Sequence, residues 1–369
     1  MSNRRVEGAR NIAAKNSKVK ILIIGLIVLI VVAGILLAVK ILNKGQAETT
    51  SNGETAEIKD EPQVQIVDVN STTRPYAVMI NNNHAAWPQC GLQDAYLVYE
   101  IIAEGGISRM MALYKDTYPS KIGSVRSARH YFIEYAEEND AIFVHWGGSP
   151  QAYSRLYSGI DSLDGIALEG SMFFRDRNLD RAYEHTGFVD LGKAKTYAEE
   201  NGYTRQTSKD LLLNYSAEEI DLSANETLQV ADSVELEYSD YHTTSYEYDA
   251  ENKVYKRSMS GKANVDLETG EQYTAKNIIV YKVRNYTLND GEGKGRQELE
   301  NVGSGTGYYI SDGQAVSITW QKSSDSAQTI YKYTNGEELM VNDGNTFIQI
   351  LPLDGEIEIQ ANITETENV

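Results

Sequence analysis

Residues 21–39 form an uncharged apolar run that begins at Ile21 and ends at Val39. As a helix, a run of this length spans roughly 28 Å at ~1.5 Å per residue, close to the ~30 Å hydrocarbon core of a bilayer. A cleaved signal peptide has a shorter apolar stretch, of ~7–15 residues, and an A-x-A-like site that this sequence lacks. We therefore predict a transmembrane helix over residues 21–42, which makes the membrane a partner of the chain.

Charge is distributed unevenly along the chain. Of 34 Lys+Arg and 53 Asp+Glu, residues 1–44 hold eight basic side chains and one acid, which leaves 26 basic against 52 acidic residues in 45–369. The positive-inside rule places the basic tail, residues 1–20, in the cytoplasm and the folded part outside the cell. Because nucleic-acid binders need a basic surface, the acidic body excludes DNA or RNA as a partner.

The polar, mixed-charge stretch that follows the apolar run is predicted to be a flexible linker over residues 43–68. The chain is therefore expected to be a single-pass protein of the plasma membrane, with its folded domains extracellular. Its one cysteine, Cys90, excludes an intrachain disulfide.

Strands alternate with helices in the first folded half. Tyr131 and Tyr135 share an apolar helix face with their neighbours, and Glu134, Glu137 and Glu138 are expected on the opposite face. Apolar runs predict strands at 76–80, 95–103, 109–114 and 141–145. This alternation predicts a layered α/β domain over residues 69–215.

The second folded half alternates apolar and polar residues between turn signals. Asn335-Gly336, between the segments IYKYT and EELMV, is the best hairpin signal in the chain. We predict a mostly antiparallel β domain over residues 226–363. The overall fold class is thus an α/β N-terminal domain plus a β-rich C-terminal domain, behind a single transmembrane helix.

Gly147, Gly148 and Ser149 lie between a predicted strand and a predicted helix that starts at Pro150. Unpaired backbone N–H groups at such a turn form a ready anion site, although the same turn can simply be tight and capped by Ser149. A serine-hydrolase role for Ser149 is excluded, since Pro150 has no N–H for the oxyanion hole.

Arg126 and Arg129 are three residues apart at the expected start of a helix, so they share a face. Two guanidinium groups at that distance repel each other unless an anion lies between them. The anion can be a phosphate or carboxylate ligand, or an internal acid such as Glu100 or Glu104; in so acidic a chain the internal ion pair is the favoured alternative. We assign Arg109 to the same candidate ligand site as Arg126 and Arg129.

A hydrolase is the alternative to a binding protein, with Glu104, Asp94 or His145 as acid–base groups. On a straight strand Glu100 and Glu104 would be ~13 Å apart, beyond the ~5–9.5 Å of a glycosidase pair. A hydrogen-bonded structural role is the simpler interpretation of His145. The five histidines show no metal-ligand spacing, so we predict neither a metal site nor a cofactor.

Several motifs resemble one known family. The motifs are RPYAVMINNN, PQCGLQDAYLVYE, EGGISRMMALY, IGSVRSAR, AIFVHWGGSP, the stretch containing Arg175 and His185, and the C-terminal VGSGTGYYISDGQAVSITW and GNTFIQILP. They resemble the YerB family of bacterial envelope lipoproteins. The resemblance covers residues 70–355 and implies an extracytoplasmic protein with a layered α/β fold, but no reaction. This chain departs from the family in two ways: an apolar segment replaces the lipid-bearing cysteine, and Cys90 replaces a serine.

These observations predict a membrane-anchored envelope protein that binds an anionic or sugar-like ligand, such as an envelope polymer. The predicted ligand-binding residues are Arg109, Arg126, Arg129, Gly147, Gly148, Ser149, Arg175 and His185. The alternatives are the hydrolase, and a structural or docking module that uses the tyrosine-rich C-terminal strands. Whether the protein is an enzyme is left open by the sequence.

Overall fold

The computed structural model describes residues 62–362 of the chain. The predicted basic tail, transmembrane helix and most of the linker lie outside the described residues. Within residues 62–362, no helix is long and apolar enough to span a membrane.

Short strands dominate the first half, and its helices are few. The strands are β1 (Tyr76–Ile80), β2 (Leu97–Ile102), β3 (Ser108–Tyr114), β4 (Ile122–Gly123), β5 (Ile142–His145), β6 (Ser162–Asp164), β7 (Phe173–Arg175), β8 (Gly187–Val189) and β9 (Asn214–Ser216). The helices are α1 (His130–Glu138), α2 (Pro150–Leu156), α3 (Gly165–Leu168) and α4 (Leu191–Glu200).

The second half contains strands and loops, with no helix among its described residues. The strands are β10 (Gln229–Val230), β11 (Ser233–Ser239), β12 (His242–Asp249), β13 (Val254–Met259), β14 (Lys262–Ala263), β15 (Thr274–Ala275), β16 (Asn277–Val283), β17 (Asn285–Thr287), β18 (Gln297–Leu299), β19 (Gly303–Ser311), β20 (Gln314–Lys322), β21 (Ile330–Tyr333), β22 (Met340–Asn342), β23 (Thr346–Pro352) and β24 (Glu356–Gln360).

One large mixed sheet runs through both halves of the chain. Its strand order is β10-β20-β19-β16-β23-β2-β3-β1-β5-β6, and β21 pairs with β20. The halves meet where β23 pairs in parallel with β2 on one side and with β16 on the other. Both β2 and β23 are buried along their whole length, as their nearly continuous apolar sequences require. The two halves that we predicted as separate domains therefore share a sheet.

A second sheet belongs to the C-terminal half. Its order is β14-β13-β12-β11-β24, with β15 paired to β13, and every pairing is antiparallel. In β11 and β13 every second side chain is buried, which is the pattern of a sheet with one face on the core. The prediction of mostly antiparallel structure here agrees with this sheet.

Helix α1 differs from its predicted outline in two respects. It begins at His130, so Arg126 and Arg129 lie in the extended segment before it rather than on its first turn. Glu138, expected on the solvent face, is fully buried and accepts hydrogen bonds from Tyr99 at 2.6 Å and from Lys322 at 2.8 Å. An acid can occupy the core here because a lysine from the other half of the chain neutralises it.

The last residues of the predicted linker, which ends at residue 68, contact the folded part of the chain. The backbone N–H groups of Gln65 and Ile66 donate to the carboxylate of Asp343, at 2.8 and 2.9 Å, and Val67 is 4% exposed. Polar composition alone could not reveal this anchoring, since its partner lies more than 270 residues away in the sequence.

The Asn335-Gly336 turn forms, but its second arm changes partner. Tyr333 and Gly336 close the turn through backbone hydrogen bonds, and Leu339 still donates to the carbonyl of Tyr331. From Met340 the chain leaves the hairpin, because β22 pairs in parallel with β9 of the N-terminal half.

Candidate functional site

Three arginines from different parts of the N-terminal half line one cavity of about 380 Å³. Arg109 comes from the start of β3, and Arg126 and Arg129 come from the extended segment before α1. Gly148 and Ser149 also lie on its wall. Sequence reasoning missed the other polar wall residues, which are Asn81, Asn83, Ser108, Ser127, Lys294 and Arg296.

Glu104 faces the arginines because the chain turns sharply after β2. A 3-10 turn, Glu104–Gly106, joins β2 to β3, and the backbone N–H of Ala103 donates to the carbonyl of Ile107 at 2.7 Å. Gly105 and Gly106 adopt φ values of 70° and 72°, a left-handed conformation that favours glycine. This turn holds the Glu104 carboxylate against Arg129, with which it forms an ion pair, and 3.6 Å from Nη2 of Arg109.

The segment that carries Arg126 and Arg129 is held by backbone hydrogen bonds on two sides. Arg126 N–H donates to the carbonyl of Met79, and its own carbonyl accepts from the N–H of Trp146 at 3.0 Å. Ala128 N–H donates to the carbonyl of Gly147 at 2.8 Å. The two arginines are therefore positioned by the ends of β1 and β5, rather than by a helix face.

The arginines differ in how far internal groups neutralise them. Glu104 pairs with Arg129, as the internal ion-pair alternative expects, but its second partner is Arg109 rather than Arg126. Glu100 pairs instead with Arg257. Arg126 has no ion pair within residues 62–362; its guanidinium donates to the carbonyl of Glu184 at 3.5 Å. Three guanidinium groups against one carboxylate leave two positive charges in excess on this wall.

Ionisation at the site follows from burial and these neighbours. Burial, together with Arg129, lowers the pKa of Arg109 to about 9, so Arg109 stays protonated at neutral pH. Burial by itself raises the pKa of Glu104, but Arg109 and Arg129 hold that pKa below its ordinary value. Burial also lowers the pKa of Arg126, which the exposed carboxyl of Glu184 partly opposes. An anionic ligand would offset the cost of burying these cations.

Lys294 and Arg296 reach the cavity from the loop between β17 and β18, in the C-terminal half. Both are already neutralised: Arg296 pairs with Asp290 and with Glu292 at 2.9 Å, and Lys294 pairs with Glu292 at 3.0 Å. They complete the wall without adding net charge. The glycine-rich sequence of this loop carries no signal for such a role.

The turn at Gly147–Ser149 offers fewer free groups for binding an anion than its sequence predicts. The N–H of Gly147 donates to the Asp164 carboxylate at 2.8 Å, and Ser149 Oγ caps α2 by accepting from Ala152 N–H at 3.1 Å. Both groups therefore already form hydrogen bonds within the protein, as the simpler interpretation of a tight, capped turn predicts. Gly148 and Ser149 line the cavity, but Gly147 does not.

The groups proposed for hydrolysis are not brought together. Glu104 lines the arginine cavity, whereas Asp94 lines a separate cavity beside Cys90, where burial raises its pKa. His145 is buried, and its Nδ1 lies 2.9 Å from the carbonyl of Gly147. Burial lowers the pKa of His145.

Arg175 and His185 lie beside the cavity rather than on its wall. The guanidinium of Arg175 lies over the rings of Trp146 and Tyr183, at 4.1 and 3.9 Å, and pairs with Glu169 at 3.3 Å. His185 is 6% exposed, and its Nδ1 lies 2.9 Å from Nδ2 of the wall residue Asn81. Both are therefore supporting residues in this structure. Among residues 62–362, no group of three His, Cys, Asp or Glu side chains could hold a metal ion.

Comparison with known protein families matches two adjoining domains. Residues 63–204 match the N-terminal domain, and residues 234–348 the C-terminal domain, of a protein of unknown function (DUF3048). A Bacillus subtilis (strain 168) protein described as "Putative lipoprotein YerB" is 32% identical over 284 residues, which cover 76% of this chain and 81% of that protein.

The fold is shared with a solved structure as well. The crystal structure of the YerB protein from Bacillus subtilis aligns with a TM-score of 0.66 at 30% identity, and the match covers 78% of this chain and 94% of that one. Sequence and structure thus agree with the resemblance found in the motifs, and the chain belongs to the two-domain, YerB-like DUF3048 family.

Proposed function

We propose that this chain is a membrane-anchored protein of the cell envelope whose N-terminal half binds an anionic ligand in the arginine cavity. The observation that carries the ligand proposal is the excess of two positive charges on the cavity wall, where Arg126 forms no ion pair among residues 62–362. Partly buried cations are costly unless they are paired, so a site of this kind gains from a phosphate or carboxylate group.

The envelope location is supported by the relative that is described as a lipoprotein and by the apolar run over residues 21–39. In our proposal this run anchors the chain as a single-pass helix, in place of a lipid. The basic tail then lies in the cytoplasm and the cavity faces the outside, where anionic or glycan envelope polymers are available as ligands.

The two alternatives receive less support. Hydrolysis needs an acid and a base at one site, and Glu104, Asp94 and His145 lie apart. A docking surface of tyrosines needs exposed rings, yet many tyrosines of the C-terminal half are fully buried, namely Tyr238, Tyr246, Tyr255, Tyr273, Tyr281 and Tyr309.

Calorimetric titration of the full-length chain with inorganic phosphate tests the proposal. Because a charge-assisted hydrogen bond contributes ~1.5–3 kcal/mol, Arg126→Gln should raise the Kd by about 10- to 150-fold. Arg284→Gln is the matched control, since Arg284 is 65% exposed and pairs only with Glu300 among residues 62–362. Absence of phosphate binding, or equal binding by wild type and Arg126→Gln, would contradict the proposal.

A further inference from the structure

A second cavity, of about 370 Å³, adjoins the arginine cavity across the turn between β2 and β3. Gly105 and Gly106 line the second cavity, and their neighbours in the chain, Glu104 and Ile107, line the first. The Glu104–Gly106 turn therefore forms the partition between the two cavities, and Gly105 and Gly106 carry no side chains there. A Cβ atom added at Gly105 meets nothing within 4 Å, which leaves this position open to a ligand that extends from one cavity to the other.

An exposed aromatic ring stands beside this partition. Tyr241 lines the second cavity, is 44% exposed, and stacks on His84 at 4.3 Å, its only ring contact among residues 62–362. Its backbone N–H donates to Ser239 Oγ at 3.1 Å, and that hydroxyl donates to the carbonyl of Gly106 at 2.6 Å. The backbone of Tyr241 is thus tied to the partition through Ser239, and the flat apolar surface of its ring suits the C–H face of a sugar ring.

The second cavity has the opposite charge to the first. Glu237, Asp240 and Asp354 lie on its wall, and none of them forms an ion pair within the described part of the chain. Carboxylates accept hydrogen bonds from hydroxyl groups and repel a second anion. A ligand that occupies both cavities must therefore be negatively charged at one end and neutral, with donor groups, at the other.

We infer that the ligand is an anionic saccharide, a charged group carried on a neutral sugar ring; this inference rests on the proposed function. The charged group lies among Arg109, Arg126 and Arg129. The sugar crosses the Gly105-Gly106 partition and stacks on Tyr241, and its hydroxyls donate to the carboxylates of the second cavity.

Calorimetry of the full-length chain with three probes tests this inference: inorganic phosphate, α-glucose 1-phosphate and methyl α-glucoside. Glucose 1-phosphate should bind about tenfold more tightly than phosphate, which corresponds to ~1.4 kcal/mol. Tyr241→Ala should remove this advantage and leave phosphate binding unchanged. Tyr286→Ala is the matched control, because Tyr286 is 46% exposed and lines a different cavity.

A second variant blocks the passage without touching either end of the site. Gly105→Asn introduces a side chain at the partition, and asparagine tolerates the left-handed backbone found there. It should weaken glucose 1-phosphate binding and spare phosphate binding. Gly202→Asn is its control, since Gly202 has a φ of 75° and equally open surroundings.

The outcomes separate the two proposals. If no phosphate-bearing probe binds, the proposed function fails, and this inference fails with it. If phosphate and glucose 1-phosphate bind equally, or if Tyr241→Ala and Gly105→Asn leave their ratio unchanged, the anion site stands and the saccharide inference is overturned.

Discussion

Arg257 donates a hydrogen bond to Glu100, Nη2 to Oε2 at 2.7 Å, and both side chains are fully buried. Glu100 lies in β2 of the large sheet, and Arg257 lies in β13 of the second sheet. His242, also fully buried, places Nε2 3.0 Å from Oε1 of the same carboxylate. This buried ion pair joins the two halves of the chain behind the candidate site.

We predict that Arg257→Met destabilises the protein by about 3–5 kcal/mol, because it leaves the Glu100 carboxylate buried without its cation. Adding Glu100→Gln to that variant should recover part of the loss, since the stranded charge is then removed. Denaturant titration followed by tryptophan fluorescence measures both changes. Lys256→Met, at the exposed neighbouring position, is the control and should leave the free energy of unfolding unchanged. A double variant less stable than Arg257→Met would refute this account of the pair.

The arginines of the cavity should differ in their effect on folding. Arg129→Ala removes the ion pair with Glu104 and the hydrogen bond to the carbonyl of Ala128, so a loss of about 1–3 kcal/mol is expected. Arg126→Ala removes a cation that forms no ion pair among residues 62–362 and should cost less than about 1 kcal/mol. Thermal melts of the two variants beside wild type make the comparison. The reverse order would show that Arg126 is a structural residue rather than a ligand-binding one.

Stability should depend on the ionisation of Glu134, in the middle of α1. Burial raises the pKa of Glu134 to about 7, and the hydrogen bond from Asn301 at 3.0 Å opposes this effect. Asp325 also raises the pKa, whereas Arg155 and Lys322 lower it. Because the pKa in the folded state is above that in the unfolded state, stability from this group is lost as the pH rises from about 4.5 through about 7.

Glu134→Gln should therefore gain stability relative to wild type as the pH rises, by about 1–3 kcal/mol between pH ~4 and pH ~8. The measurement is the difference in unfolding free energy between the two proteins at a series of pH values. A constant difference across this range would mean that Glu134 titrates normally.

The membrane topology is testable in cells. Protease added to intact protoplasts should digest the folded part beyond residue 43, because six basic residues hold the preceding segment in the cytoplasm. A tag fused after Val369 reports the cleavage by immunoblot, and a cytoplasmic protein serves as the control for protoplast integrity. A tag that resists protease until the protoplasts are lysed would place the domains inside the cell.

Local patterns were sufficient for much of the secondary structure. The strand at residues 76–80, the helix that Ser149 caps, and the antiparallel character of the C-terminal half follow from apolar periodicity and capping residues. Charged motifs likewise pointed to Arg109, Arg126 and Arg129, which the fold brings to one cavity. The strand, the capped helix and the antiparallel pattern depend on residues close to one another in the sequence, so the sequence by itself determined them. That the three arginines share a cavity was decided by the tertiary structure.

Tertiary structure decided which charges meet. Glu100 pairs with Arg257 rather than with Arg126 or Arg129, and Glu138 is buried because Lys322 reaches it from β20. Such pairs join residues more than 150 positions apart, and every acid in so acidic a chain has many possible partners. The choice among them depends on β23, which enters the sheet beside β2 and so brings the two halves together. Because that pairing is non-local, no pattern within either segment could specify it.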